Sequence, residues 1–280
     1  MQKTWFITGA NRGLGAYIAQ AALAAGERVV ATARNVDSLH AALGAESDQL
    51  LALPLDVTQP AQIQAAVAAA ASRFGGIDVL VNNAGYGHLG FFEETTPQDA
   101  QAQFATNLFG VFSLTQAVLP LMRAARKGHI FNLSSLAGVM GVELGALYCA
   151  SKFALEGFSE SIAKELAPFG IKVTIIEPGP FRTDFLTPES IRFGAHEIAD
   201  YAERRAAARA SFEQRNGKQP GDPAKLAQAL LQLANTAEAP LRFIGGAVAL
   251  NAAEATLAAM SAEIAQWREL TLAMDFPAGT

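Results

Sequence analysis

The chain holds a single cysteine, Cys149, among its 280 residues, so it cannot form an intrachain disulfide. That economy fits a reducing compartment, and a cytoplasmic location is the expectation. Acids outnumber bases, 26 against 21, for a net charge of −5, and no long Lys/Arg run occurs. The basic footprint of a nucleic-acid binder is therefore missing. No uninterrupted apolar stretch reaches the roughly 18 residues of a membrane-spanning helix, so no membrane span is expected. The N-terminal apolar run, Trp5-Phe6-Ile7, is too short for the core of a signal peptide. Histidines number only four, and neither His88 nor His196 has Cys, His or carboxylate neighbours at ligand spacing, so no metal site is expected. Asn132-Leu133-Ser134 matches a glycosylation sequon but falls in a predicted buried strand, and it is discounted. With 51% hydrophobic and 17% charged residues, the chain is not of the disordered class either.

Short apolar runs alternate with Ala-rich stretches of helical period. The runs predict strands at Thr4–Thr8, Arg28–Ala33, Leu50–Leu55, Val79–Asn82, His129–Leu133 and Lys172–Glu177. Helices are predicted at Leu14–Ala25, Val36–Leu43, Pro60–Phe74, Pro97–Ala125 and Ala146–Pro168. Such alternation implies βαβ units, and hence an α/β fold: a doubly wound parallel sheet of Rossmann type with helices on both faces. Strands apolar throughout, such as Val79-Leu80-Val81, suit a sheet covered on both sides. The whole chain reads as one domain. Beyond Pro178 the pattern loosens: Pro178-Gly179-Pro180 and Thr187-Pro188 punctuate it, and a charged helical stretch from Ser190 to about Arg215 follows. The turn-rich Asn216–Pro223 precedes further helices at Ala224–Ala234 and Asn251–Leu272. Residues from about 180 to 222 are read either as a segment covering the substrate or as a structural appendage or oligomer contact.

Three features bear on chemistry. The first strand runs into Thr8-Gly9-Ala10-Asn11-Arg12-Gly13-Leu14-Gly15 and then a helix, a context in which glycines let the backbone approach a pyrophosphate at the helix N-terminus. The spacing is Gly-x-x-x-Gly-x-Gly rather than Gly-x-Gly-x-x-Gly. The second strand ends at Arg34 with no acid before Asp37. An acid there would bind a ribose 2′-hydroxyl, whereas a cation accepts a 2′-phosphate, so Arg34 with Arg12 favours NADP(H). Finally, Tyr148 and Lys152 project from one helix face a turn apart, and Ser135 follows the fifth strand at its ligand-binding edge. A free phenol titrates near ~10. A neighbouring ammonium favours the phenolate, which would let Tyr148 exchange a proton with a carbonyl or alcohol oxygen.

The glycine turn, Asn82-Asn83-Ala84-Gly85, Ser135 with Tyr148-Cys149-Ala150-Ser151-Lys152, and Pro178-Gly179 occur in an order and spacing that resemble the short-chain dehydrogenase/reductase family, from residue 1 to about 190. The resemblance implies hydride transfer between NAD(P)(H) and a carbonyl/alcohol pair. It makes Tyr148 the acid/base and gives Lys152 the task of lowering its pKa and holding the nicotinamide ribose. Ser135, rather than Ser134, would orient the substrate oxygen, and Asn107 would support a proton-relay water beside the lysine. Alternatively, Asn107 is an ordinary helix-interior asparagine.

The cofactor set implied is Gly9, Asn11, Arg12, Gly13, Leu14, Gly15, Arg34, Asp56, Val57, Asn82, Ala84, Gly85, Tyr148, Lys152, Pro178, Gly179 and Thr183. Within it, Asp56 would contact the adenine or else simply cap the next helix. Asn82 and Gly85 would line the adenosine ribose side and stabilise the sheet, and Thr183 would hold the carboxamide. Cys149 is read as a packing residue.

The family usually pairs through helices matching Pro97–Ala125 and Ala146–Pro168, so a homodimer or homotetramer is implied. Tyr86, Met140, Val142, Glu143, Leu144, Phe181, Phe185 and Leu186 are candidates for the substrate pocket, and their apolar character points to an apolar ketone or aldehyde. Glu143 is either a polar anchor or a solvent-facing loop residue. A reduced NADP pool would drive carbonyl reduction in a cell. The rival readings are an NAD-dependent alcohol dehydrogenase of the same fold and a catalytically idle NADP(H)-sensing regulator.

Overall fold

The computed structural model describes residues 2–187 and 190–276. Its elements run β1 (Thr4–Thr8), α1 (Gly13–Ala24), β2 (Arg28–Ala33), α2 (Val36–Leu43), β3 (Leu50–Pro54), α3 (Pro60–Phe74), β4 (Val79–Asn82), β5 (Gly87–Leu89), α4 (Pro97–Phe104), α5 (Gly110–Ala125) and β6 (Gly128–Leu133). There follow α6 (Ala146–Leu166), β7 (Ile171–Pro178), β8 (Ile191–Phe193), α7 (Ala202–Arg215), α8 (Pro223–Asn235), β9 (Arg242–Gly245), α9 (Ala247–Gln266) and α10 (Arg268–Leu272).

Seven strands form one parallel sheet in the order β3-β2-β1-β4-β6-β7-β9. This is the doubly wound arrangement, with the order reversing between β1 and β4 and leaving a crevice at the strands' carboxyl ends. Successive residues of β1 face opposite sides of the sheet. Trp5 and Ile7 join α1 and α8 in one core, and Phe6 joins α3 and α5 in the other. Phe6 and Ile7 are wholly buried, each contributing about 1.5–3 kcal/mol. Burial on both faces explains why these strands read as continuous apolar runs.

Differences from the sequence reading are local. The long helix from Pro97 is interrupted by a π-helical turn at Ala105–Phe109. Taken as one rod, Pro97–Ala125 is apolar and long enough to cross a bilayer by length and composition. Its Leu114, Val118 and Met122 are nevertheless wholly buried in the core shared with the sheet, as in any core helix. The stretch after Ser190 is not helical at first: Ile191–Phe193 forms β8, a parallel partner of β5, and α7 begins only at Ala202. Pro188 lies outside the described residues. The C-terminal helix starts at Ala247, directly after Gly246, whose φ of +88° suits glycine. Asn132 of the discounted sequon is wholly buried and bonded to Asn82 and Ser159.

Candidate active site

The glycine turn is held by its neighbours before any ligand is considered. Thr8 Oγ1 accepts hydrogen bonds from the backbone N–H groups of Asn83 (3.0 Å) and Ala84 (2.9 Å). The Asn83 amide donates to the carbonyls of Thr8 (2.8 Å) and Gly9 (3.2 Å). Gly9 and Gly13 take positive φ, +64° and +53°. A Cβ on Gly15 would stand 2.3 Å from the Gly9 carbonyl oxygen, so only glycine lets α1 begin this close to the turn. The result is a backbone cradle at a helix N-terminus whose first turn carries no acid, the arrangement that suits a pyrophosphate. Thr8 and Asn83, which brace this turn, are residues that sequence reasoning did not select; the run Asn82-Asn83 was the available signal.

Ala10 donates to the Thr32 carbonyl at 3.0 Å, tying the turn to the end of β2. Arg12, half-buried at the α1 N-cap, and Arg34, exposed just beyond β2, therefore stand at the same corner of the crevice. Asp37 sits in the first turn of α2, capped by Asn35. Asp56 accepts from Thr58 N (2.9 Å) and Thr58 Oγ1 (2.7 Å); it closes a turn and is not the cap of α3, which is Gln59. Val57 is buried, and a Cβ on Gly110 would fall 2.8 Å from its side chain. Asn82 is buried and faces inward, donating to Asn132 (2.8 Å) and Thr115 (3.2 Å), so its visible contacts brace β4 against β6 and α5. Gly85 lies exposed beside Asn107, whose Oδ1 would be 3.2 Å from an added Cβ.

Ser135, Tyr148 and Lys152 converge. Ser135 follows β6, where its hydroxyl accepts from Ala137 N at 3.1 Å, and it hydrogen-bonds the Tyr148 side chain. Ser134 turns the other way, into a buried corner beside Gly138 and Glu156. Lys152 donates from Nζ to the Leu133 carbonyl (2.6 Å), with Nζ 5.7 Å from the Tyr148 ring centroid. Burial dominates the titration of both. It pushes the Tyr148 phenol up to about 12 despite the Ser135 bond, and pulls Lys152 down to about 8 despite the charge of Glu156. The phenol therefore holds its proton at neutral pH. Desolvation sets the phenol's titration, opposed by the Ser135 hydrogen bond and not by Lys152, so the lowering expected from the lysine does not arise.

Asn107 stands in the π turn, where its amide donates to the Tyr86 carbonyl (3.0 Å) and Ser151 Oγ (3.3 Å) and its Oδ1 accepts from Tyr86 N (3.2 Å). It joins the loop after β4 to α6 one residue from Lys152. π turns recur at functional positions, and this one brings Asn107 inward.

Behind the lysine lies a cluster that sequence reasoning missed. Glu156, a turn beyond Lys152 on α6, is buried with Glu177 of β7, and Arg242 of β9 reaches both (3.5 and 3.1 Å) and pairs with Glu160. Burial raises Glu156 to about 7 and also raises Glu177. The signal available in the sequence was the helical spacing of positions 148, 152 and 156.

Pro178–Gly179 ends β7, with Gly179 N bonded to the Gly245 carbonyl (3.0 Å) and α9 closing over it at Ala249. Thr183 faces the glycine turn, its Cβ 3.8 Å from where Gly13 would carry one. The Phe185 ring lies 5.7 Å from Tyr148, and Leu89, Ala137, Cys149, Leu186 and Ile191 complete an apolar wall there. Phe181 departs from expectation. It packs away from this wall against Gly221 and Gly245, in the core shared with α8. Glu143 is exposed and paired with Arg204 of α7. Among the described residues no three His, Cys, Asp or Glu side chains group as metal ligands would.

Residues 3–191 match the short chain dehydrogenase family. Oxidoreductase BOA17 of Botryotinia fuckeliana is 39% identical over 279 residues, covering 98% of this chain and 99% of its own. A 3-ketodihydrosphingosine reductase of Bacteroides thetaiotaomicron is 38% identical, covering 84% of this chain and 85% of its own. Among solved structures, a short-chain dehydrogenase from Streptomyces avermitilis superposes with a TM-score of 0.89 at 39% identity, covering 99% of both chains. A metagenomic short-chain oxidoreductase in complex with NADP reaches 0.68 at 30% identity, covering 86% of this chain and 96% of its own. A Burkholderia phymatum member in complex with NAD, at 24% identity and 0.75, covers 100% of this chain and 97% of its own and shares the fold. The crevice, cradle and Ser–Tyr–Lys convergence are those of a nicotinamide-dependent oxidoreductase. The chain belongs to the short chain dehydrogenase family.

Proposed function

We propose that the protein interconverts an apolar ketone or aldehyde and its alcohol with NADP(H). The observation that carries this reading is Tyr148: a phenol kept protonated by burial, bonded to Ser135, with Lys152 behind it and an apolar wall in front. Such a phenol is a general acid for a carbonyl oxygen. The glycine cradle would hold the dinucleotide, which when bound would supply or take the hydride. In reduction, Ser135 holds the carbonyl oxygen, Tyr148 gives it a proton, and the Lys152 ammonium stabilises the phenolate that remains. Asn107 and Ser151 hold the lysine's helix against the loop after β4, and Phe193 of β8 and Phe212 of α7 pack against the apolar wall.

The cofactor choice rests on Arg12 and Arg34 at a corner where β2 ends without an acid. The relative named for reducing a 3-keto compound and the NADP complex of another accord with this reading. The buried lone cysteine accords with a cytoplasmic setting. Fluorescence titration with NADPH and NADH, on the natural protein and on Arg34→Ala, is the test. Tighter binding of NADPH that the substitution reduces to the NADH level is expected. Equal or NADH-favoured binding would replace the reading with the NAD-dependent one.

A further inference from the structure

The C-terminal helix leaves the body. Its first turns seat Ala249 and Ala253 against Gly179 and the turn after Ser135, and both are buried. From Glu254 onward hardly any side chain is covered. Leu257, Met260, Ile264, Trp267, Leu270, Leu272, Met274 and Phe276 are between 55% and 90% exposed. An aromatic side chain offers about 150–250 Å² and an aliphatic one somewhat less, so these eight present roughly 800 Å² of apolar surface. The largest apolar patch of a typical monomer is about 300–600 Å², whereas a stable dimer buries about 800 Å² on each partner. Taken together, the end of α9, the Trp267 turn, α10 and the residues after it expose apolar area on the scale of one half of an interface.

The order of its residues says what fits. Leu250, Ala253, Leu257, Met260, Ile264 and Trp267 follow one another at steps of three and four, the a/d spacing of helices that pack side by side. Glu263, in the last turn of α9, and Arg268, the first residue of α10 beyond the Trp267 turn, flank that stripe with opposite charges. The arm carries Glu254, Glu263, Glu269 and Asp275 against Arg268 alone, an excess of acid. Amphipathic helices that lie on membranes are rich in Lys and Arg instead.

We propose that residues 254–276 form a homodimerisation arm, packing through Leu257, Met260, Ile264 and Trp267 against the same arm of a second copy. The surface is separate from the α5 and α6 faces and does not depend on the catalytic reading. Because the first turns of α9 pack against the turn after Ser135 and against Gly179, the paired arms stand at one border of the candidate active site.

Sedimentation velocity of the full chain across a range of concentrations, with Leu257→Glu/Ile264→Glu in parallel, tests this. Both positions are exposed, so the variant keeps the body's melting temperature. Its assembled mass should fall twofold relative to the natural protein. Trp267 supplies a second readout, because Trp5, the other tryptophan, is wholly buried and constant. Emission should shift to the red in the variant and on dilution of the natural protein. A natural protein that is monomeric throughout, or a variant of unchanged mass, overturns the proposal. So does blue-shifted Trp267 emission in a monomer, which would mean that the arm folds back on its own body. Co-sedimentation of a monomer with phosphatidylcholine vesicles would overturn it too, assigning the arm to lipid.

Discussion

Replacing Lys152 by Met should make the protein more stable at neutral pH while removing its turnover. The lysine is buried and its ammonium titrates at about 8 instead of 10.5. That difference of roughly 2.5 units corresponds to about 3 kcal/mol of native-state cost carried while the side chain is charged. Methionine fills similar space without the charge but leaves the Leu133 carbonyl without its 2.6 Å donor, a loss of about 1–2 kcal/mol. The net gain near pH 7.5 is therefore about 1–2 kcal/mol, or roughly 3–5 °C in Tm for a chain of this size.

The pH dependence is the sharper signature. The native pKa is depressed, so between about 8 and 10.5 the unfolded chain binds more protons than the folded one, and stability rises with pH. The natural protein should recover about 2 kcal/mol between pH 7.5 and 9.5, and the Met variant should lack that gain. Its advantage at pH 7.5 then vanishes or reverses by pH 9.5. Other groups titrating in this window contribute equally to both proteins and cancel in the difference. Urea unfolding of the two proteins at the two pH values gives the comparison. A Met variant less stable at pH 7.5, by an amount that does not change at 9.5, would refute the claim that a charged buried ammonium is held here against its desolvation.

Glu156→Gln tests the neighbouring acid in the opposite window. Its native pKa is raised from 4.5 to about 7, so the natural protein loses stability as pH rises through that interval, whereas the Gln variant should not. Unfolding at pH 5 and 7.5 should show the variant gaining on the natural protein, and a constant gap would count against the shift. Arg205→Ala tests how the segment from β8 through α7 is fastened. Glu94 is almost wholly buried, pairs with Arg205 and accepts from Ile198 N (3.0 Å). Removing the cation strands a buried charge at about 3–5 kcal/mol, and hydrogen exchange should speed up across residues 191–215 while the sheet stays protected. Unchanged exchange there would show that β5–β8 pairing and the Phe91–Tyr201 stack suffice.

What the sequence made legible was whatever is encoded at short range. The six strands it predicts are apolar runs bounded by turns, and each matches a strand of the large sheet to within a residue or so, because burial on both faces leaves an unbroken hydrophobic record. The glycine turn and the Tyr148–Lys152 pair were legible for the same reason, since a turn and a helical step are both local. β9 was not: it has four residues, begins with an exposed Arg242 and is half-covered, so only its partner β7 makes it a strand. β5 and β8 are three residues each and exist because they pair with one another across about a hundred residues of chain.

The same distinction separates the two halves of the candidate active site. Tyr148 and Lys152 share a helix, so their meeting is written in the interval between them. Glu156, Glu177 and Arg242 come from α6, β7 and β9, and their meeting depends on strand register, which pairs Ile175 of β7 with Arg242 and so sets the guanidinium beside Glu177 two residues on. Asn82 and Asn132 illustrate the point within one motif. The Asn82–Gly85 run marks a nicotinamide-binding family, but Asn82's visible work is to bond Asn132, its register partner on β6. A register slip of one residue between β4 and β6 would put the two side chains on opposite faces of the sheet and break the brace. The groups proposed to carry out proton transfer are thus specified by local spacing. The groups that hold them in a dry, charged and compact corner are specified by the pairing of distant strands, and for that reason the fold must form before the environment that shifts Tyr148, Lys152 and Glu156 exists.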